Sequence, residues 1–298
     1  MGHDNRLVLV DAYAQIYRSF HAIPNLTDSQ GTPTNALFGM ARFMLRLDGR
    51  LEHAFGAVVF DKGKPEKRLA VLPAYKATRP PMPDELQAQL PIIRQWLAAA
   101  GWSIIEQDGV EADDLIASIV HDRGGCETYI LSGDKDLGQI VADDVFLMTP
   151  GKKGGLQCLG PADIEDKFGV PPAAVPDYLA LLGDASDNIP GVPGIGKKTA
   201  ADLIRAFGSI ETILESPDAI ERTRIREAVQ NHRDLIRRNK EIVILITDPP
   251  PGWSGVKSLR RKPPDWETLL GIARRHELKS LVKSLEKQRY EVQNPELF

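Results

Sequence analysis

Leu7-Val8-Leu9-Val10 is an unbroken apolar run closed by Asp11, and this stretch decides the fold class. A run this short, with no polar alternation, reads as a strand covered on both faces. The pattern returns in Ala57-Val58-Val59-Phe60, closed by Asp61, and in Tyr129-Ile130-Leu131, followed by Ser132-Gly133-Asp134-Lys135-Asp136. Trp102-Ser103-Ile104-Ile105 is a weaker fourth copy. Helical patterns fill the intervals over 84–100 and 111–121. Buried strands alternating with helices predict an α/β parallel sheet. From about Pro161 the strand signal fades. Prolines at 161, 171, 172 and 217 mark helix starts there, since proline is tolerated in a first turn. Ile242-Val243-Ile244-Leu245-Ile246 is the exception and reads as a late strand. The glycine-rich turn Gly151-Lys152-Lys153-Gly154-Gly155 precedes the change, so the boundary is set at 158/159.

The acidic residues stand where such a sheet would gather them. Asp11 and Asp61 end strand runs, Asp134 and Asp136 follow a third, and Glu111, Asp113 and Asp114 open a helix. The carboxyl ends of parallel strands share one edge, where ligands bind. Asp184 and Asp187 are three apart, on one face of a helix. Singly, each acid is explained by capping or by the helix dipole. Together they would raise one another's pKa unless a cation neutralised them. Oxygen ligands without Cys or His suit hard ions such as Mg²⁺ or Mn²⁺. Two such ions about 3.5–4 Å apart serve phosphodiester hydrolysis.

Total charge hides this. The chain carries 37 basic and 41 acidic residues, a net of −4, with no basic excess to announce nucleic acid. Setting the nine acids above aside leaves 32 against 37, a net of +5. Residues 62–79 hold six basic side chains (Lys62, Lys64, Lys67, Arg68, Lys76, Arg79) and one acid, Glu66. By itself that segment is equally a solvated surface loop.

Gly191 to Lys197 fits a GxxxxGK frame, but Lys198 stands where a P-loop carries Ser or Thr, and no apolar strand precedes it. The segment reads better as a helix–hairpin–helix. Its glycines let backbone N–H groups approach a phosphate at a helix N-terminus, with Lys197 and Lys198 adding charge. Such a motif grips nucleic-acid backbone without reading sequence.

Other classes are excluded. With 298 residues, 42% hydrophobic and 26% charged, the chain can bury a sizeable core and is not disordered. No secretory h-region opens it, Arg6 breaks a myristoylation motif, and the longest apolar run is far short of a membrane span. Cys126 and Cys158 show no metal spacing and read as reduced thiols, which points to the cytoplasm.

The motifs as a set resemble the 5′-nuclease domain of bacterial DNA polymerase I and its stand-alone relatives, the flap endonucleases. The resemblance rests on VDAYAQIYRSFHA (10–22), VVFD (58–61), AYKATRPPMP (74–83), VEADD (110–114), LSGDKDL (131–137) and GDASDNIPGVPGIGKKTA (183–200), in that order. It implies a PIN-like nuclease core over 1–158, with a basic arch at about 62–83. A mainly helical DNA-binding region over 159–298 would carry a helix–three-turn–helix at about 184–207. It implies Asp11, Asp61, Glu111, Asp113 and Asp114 near one divalent ion and Asp134, Asp136, Asp184 and Asp187 near another. Arg18 would meet a substrate phosphate, and Arg68, Lys76 and Arg79 would line the arch. Gly191, Gly194, Gly196, Lys197, Lys198 and Thr199 would hold duplex DNA, and the carbonyls of Val192 and Ile195 a K⁺. Prolines at 73, 80, 81 and 83 argue against one continuous helix through the arch.

The expected function is a metal-dependent, structure-specific 5′ nuclease (5′-3′ exonuclease and flap endonuclease) of replication and repair. Its partner would be branched or nicked duplex DNA with a 5′ flap, and it would act as a monomer away from membranes. Nothing after Phe298 could be a polymerase domain, so a stand-alone protein is expected. The alternatives are a non-catalytic binder of branched DNA and a ribonuclease acting on RNA flaps and RNA–DNA hybrids.

Overall fold

The computed structural model describes residues 5–151, 155–294 and 296. Six strands form one sheet: β1 (Arg6–Asp11), β2 (Phe55–Val59), β3 (Ser103–Ile105), β4 (Glu127–Leu131), β5 (Val145–Pro150) and β6 (Leu156–Leu159). Their order is β3-β2-β1-β4-β5-β6, parallel except for the antiparallel edge strand β6. The chain therefore builds outward in both directions from β1, and the β1/β4 boundary is the topological switch point.

Alternation along β1 divides the core. Leu7 and Leu9 point to one face and Val8 and Val10 to the other, all fully buried. The Val face is covered by α1 (Ala12–Ala22), α2 (Asn35–Asp48) and α5 (Leu90–Ala99), and by the C-terminal pair α13 (Trp266–Arg275) and α14 (Lys279–Gln293). Two short helices, α3 (Glu66–Val71) and α4 (Asp84–Gln87), lie between β2 and α5. The Leu face is covered by α6 (Ala112–His121), α7 (Pro161–Phe168), α8 (Val175–Leu182), α9 (Lys197–Phe207), α10 (Ile210–Glu215), α11 (Thr223–Asn231) and α12 (Arg233–Val243).

Four local expectations change. β5 and β6 form a hairpin that the sequence pattern did not mark; part of its connecting glycine-lysine turn lies outside the described residues. The segment 242–246 is not a strand. Ile242 and Val243 end α12, and side chains take up the backbone beyond it. Gln139 bonds Val243 O and Leu245 N at 3.0 Å each, and Asp114 accepts from Ile246 N at 2.9 Å. Those groups have no need of a sheet partner. In the arch segment only 66–71 is helical before α4, and 80–83, with three prolines, is irregular. Asp184 and Asp187 share a single 3₁₀ turn (Ala185–Asp187) rather than an α-helix; Asn188, at φ +58°, ends it.

Candidate metal centre and nucleic-acid interface

The carboxyl edge of the sheet collects the acids. Asp11 is the last residue of β1 and caps α1, accepting from Ala14 N at 3.1 Å and from Ser132 Oγ at 2.7 Å. Asp61 follows β2 and accepts from Ala112 N at 3.2 Å, which ties the β2 end to the start of α6. Glu111 is the N-cap residue of α6, with Asp113 and Asp114 in its first turn, where the dipole favours negative charge. Asp134 follows β4 and accepts from Asp136 N at 2.9 Å.

Two compact triads result. Glu111, Asp113 and Asp114 each offer a carboxylate oxygen within 4.8 Å of the others, and so do Asp136, Asp184 and Asp187. Asp11, Asp61 and Asp134 stand in neither triad. Burial first, and then the charges of Asp61 and Asp134, push Asp11 up to about 6 against the hydrogen bond from Ser132. Burial and the neighbouring Asp134 raise Asp136 to about 8, and its buried Oδ1 has no protein partner. Asp113 is pushed well above the usual range by burial and Glu111. Asp184 goes the other way: burial acts upward, but hydrogen bonds from Lys135 and Ser186 outweigh it. Carboxyls pushed upward by burial and by one another, beside one held down by its cation and hydrogen bonds, make a site short of positive charge. An oxygen-only donor set of this kind fits hard divalent ions.

The chain's own cations reach the same oxygens. Arg79 Nη2 lies 2.5 Å from Asp187 Oδ1, and Lys135 Nζ lies 2.8 Å from Asp184 Oδ2. Lys76 donates to Glu111 and lies 3.7 Å from Asp187. Tyr75 Oη donates to Asp187 Oδ2 at 3.1 Å. The backbone fixes this arrangement: Lys76 N donates to Asp187 O at 2.9 Å and Asn188 Nδ2 to Ala74 O at 2.7 Å. Lys76 takes φ +54° to do so, a conformation L-residues rarely adopt. Thus Lys76 bridges the two triads through Glu111 and Asp187, and Arg79 pairs with the second through Asp187. Arg68 does not join them on a solvated arch; it is 6% exposed and faces Glu111 and Asp114 from beneath.

Tyr75, Lys135 and Ser132 went unmarked in the sequence. Lys135 had a visible signal, a lone cation between two acids in Asp134-Lys135-Asp136. Arg18 is not at the carboxylates. It is exposed on α1 and lines a cleft of about 430 Å³ with Arg46, Arg50, Phe43, Leu47 and Met148.

On the opposite face of the sheet, the loop 191–196 leads into α9 with Gly196 as N-cap. Gly194, Gly196, Lys197 and Lys198 are exposed, and neither lysine has a carboxylate partner among the described residues. Thr199 is half-buried, and the side chains of Val192 and Ile195 are buried. The Val192 carbonyl already accepts from Ile195 N at 3.0 Å. Gly191 faces inward instead: a Cβ there would lie 2.0 Å from Leu182 O. It is glycine because of the protein backbone beside it, with no phosphate needed to explain it.

Comparison with known proteins adds the following. Residues 6–169 match the family model for the 5′-3′ exonuclease N-terminal resolvase-like domain, and residues 170–267 that for the 5′-3′ exonuclease C-terminal SAM fold. The chain is 36% identical to a 5′-3′ exonuclease of Aquifex aeolicus over 94% of its length and 95% of the relative's. It is 37% identical to DNA polymerase I of Caldicellulosiruptor bescii over 94% of its length, and spans 33% of that longer protein. Its fold is similar to that of T5 5′-exonuclease solved with zinc bound, at a TM-score of 0.66 and 22% identity, covering 95% of this chain and 98% of the other.

Proposed function

The chain belongs to the 5′-3′ exonuclease family, and we propose that it is a structure-specific 5′ nuclease that trims 5′ ends and cuts 5′ flaps of duplex DNA. One observation carries this reading: six carboxylates in two triads, with Asp11, Asp61 and Asp134 beside them, at the switch-point edge of a parallel sheet, with no Cys or His among them. Mg²⁺ or Mn²⁺ held there would supply activation of water and neutralisation of charge at the leaving 3′-oxygen. The chain's own residues do the rest. Lys76, between the two triads, and Arg79, beside the second, offset charge on the reacting phosphate. Asp11 and Asp184 are held in place by Ser132 and by Lys135 with Ser186.

Substrate shape follows from two basic surfaces. Lys197 and Lys198 open α9 on the Leu face, while Arg18, Arg46 and Arg50 line the cleft on the Val face. The carboxylates lie at the edge between them. A branched duplex straddling that edge presents one arm to each surface and its junction to the acids. Backbone carbonyls at Val192 and Ile195 suit a K⁺ that stiffens the loop. A single copy suffices, because each triad is complete within the chain, and the two free thiols suit the reducing cytoplasm. No helix among the described residues is long and apolar enough to cross a membrane.

The test is cleavage of matched substrates with a DNA or an RNA 5′ flap. We expect cutting at the junction with Mg²⁺ or Mn²⁺, none with chelator or Ca²⁺, and preference for the DNA flap. Full activity in chelator overturns the metal-dependent reading. Tight flap binding without cleavage under any metal makes the protein a branched-DNA binder, and preference for the RNA flap makes it a ribonuclease.

A further inference from the structure

Arg68, 6% exposed, sits at the centre of a buried network of hydrogen bonds. Its Nε donates to Ile242 O at 2.9 Å. Its Nη1 donates to Glu111 Oε2 at 2.7 Å and to Asp114 Oδ2. Its Nη2 donates to Asp114 Oδ1 at 2.9 Å. Four of the five guanidinium N–H groups are thereby engaged. Asp114, itself 2% exposed, completes the network by accepting from Ile246 N at 2.9 Å. The guanidinium thus joins α3, the first turn of α6 and the end of α12.

We infer that Arg68 is a positioning residue of the metal centre and not a contact to nucleic acid. Glu111, Asp113 and Asp114 crowd three carboxylates into one helical turn, and Arg68 is the buried cation that lets them stay together. It takes one oxygen of Glu111, and so fixes which way the carboxylate presents the other, Oε1, to Lys76 and to an incoming ion. It binds both oxygens of Asp114, so Asp114 acts on the ion through Arg68 and Glu111. Through Ile242 and Ile246, the end of α12 becomes part of the same support. Lysine could not replace it, because one nitrogen cannot span acceptors on three segments. The inference rests on the nuclease reading above for the ion, but the network itself does not depend on it.

The experiment compares wild type with Arg68→Lys on two binding readouts. Mn²⁺ binding to DNA-free protein is followed by calorimetry, and flap-DNA affinity is measured in chelator across a salt series. We expect Arg68→Lys to weaken Mn²⁺ binding by about 10–100-fold, as loss of a group that orients a ligand does. DNA affinity and its salt slope should stay at the wild-type values. With Arg68→Gln, which removes the charge, a salt slope reduced by about 0.9 with Mn²⁺ affinity retained would make Arg68 a phosphate contact and overturn the inference. Unchanged Mn²⁺ affinity with unchanged slope overturns it as well. Should Arg68→Lys not fold, Arg68→Gln alone, which leaves every triad carboxylate in place, serves for both readouts. That variant must bind DNA like wild type and Mn²⁺ weakly; weakened DNA binding or retained Mn²⁺ affinity overturns the inference. Wild-type protein that binds no Mn²⁺ and cuts no flap refutes the nuclease reading instead.

Discussion

Gly191→Ala tests whether the loop carrying Asp184 and Asp187 is held by backbone packing. The added Cβ would lie 2.0 Å from Leu182 O and 2.6 Å from Leu182 C, both main-chain atoms that no rotamer change can move. Real Cβ atoms essentially never approach below 3.0 Å, so the two segments must part by about 1 Å. Little slack is available. Val192 N donates to Leu181 O at 2.9 Å, and Asp184 and Ile189 exchange bonds of 2.8 and 2.7 Å. Gly183, at φ +73°, meets Gly191 from the other side. Overpacking of this kind costs about 1–3 kcal/mol. Moving Asp184 and Asp187 by about 1 Å costs on the order of 10² in rate. Gly196→Ala is the control: nothing lies within 4 Å of its Cβ, and its φ of −96° suits any residue. Denaturant unfolding and single-turnover flap cleavage should separate the two. Gly191→Ala loses stability and rate, whereas Gly196→Ala stays within about 0.5 kcal/mol of wild type and cuts normally at saturating enzyme. Equal behaviour of the two variants in both assays would refute the packing argument.

The remaining expectations are shorter. Asp→Asn at positions 11, 61, 134 or 184 should lower the single-turnover rate by ~10² or more, and at Asp11, which Asp61 and Asp134 push upward, folding should survive because like-charge repulsion is relieved; three of the four cutting at near wild-type rate would show the site to be misplaced. Replacing Lys197 and Lys198 together by Ala should weaken duplex binding equally for all sequences and flatten the salt slope by up to ~2 units. The saturated rate should hardly change, whereas Lys76→Ala should lower it; the reverse pattern would mean that the two roles are swapped. In chelator, the folded chain keeps protons on Asp11 and Asp136 that the unfolded chain has released, since their values are raised to about 6 and about 8. Their stabilising contribution is complete below the ordinary carboxylate range and is lost as pH rises toward about 8. The unfolding temperature in chelator should fall between pH 5 and 8, and a flat or rising profile counts against these shifts.

How far the sequence could be read depended on what each residue's partner was. β1, β2 and β4 were legible because full burial on both faces leaves an unbroken apolar run, and the acids that close those runs fall on one edge by topology alone. β5 and β6 were not, because part of each strand stays at the surface and their apolar signal is diluted by Thr149, Pro150, Gln157 and Cys158. Residues 242–246 misled for a related reason: an apolar run shows that side chains are buried but not what satisfies the backbone, and here Gln139 and Asp114 do so.

Arg68 marks the deepest of these limits. Lys62, Lys64, Lys67, Arg68, Lys76 and Arg79 are one basic segment in the sequence, with nothing local to divide them. The structure divides them by depth. Lys62 stays at the surface between Glu106 and Asp108, Lys76 and Arg79 pair with the triads' carboxylates, and Arg68 goes beneath them. Charge density predicts an electrostatic surface, but a buried guanidinium is stable only where acceptors on several segments converge. That convergence is created by α6 and the end of α12, more than 40 and 170 residues away. The same long-range assembly ties the main chain of Ile242 and Ile246 to the candidate metal centre, although neither residue carries any chemistry of its own.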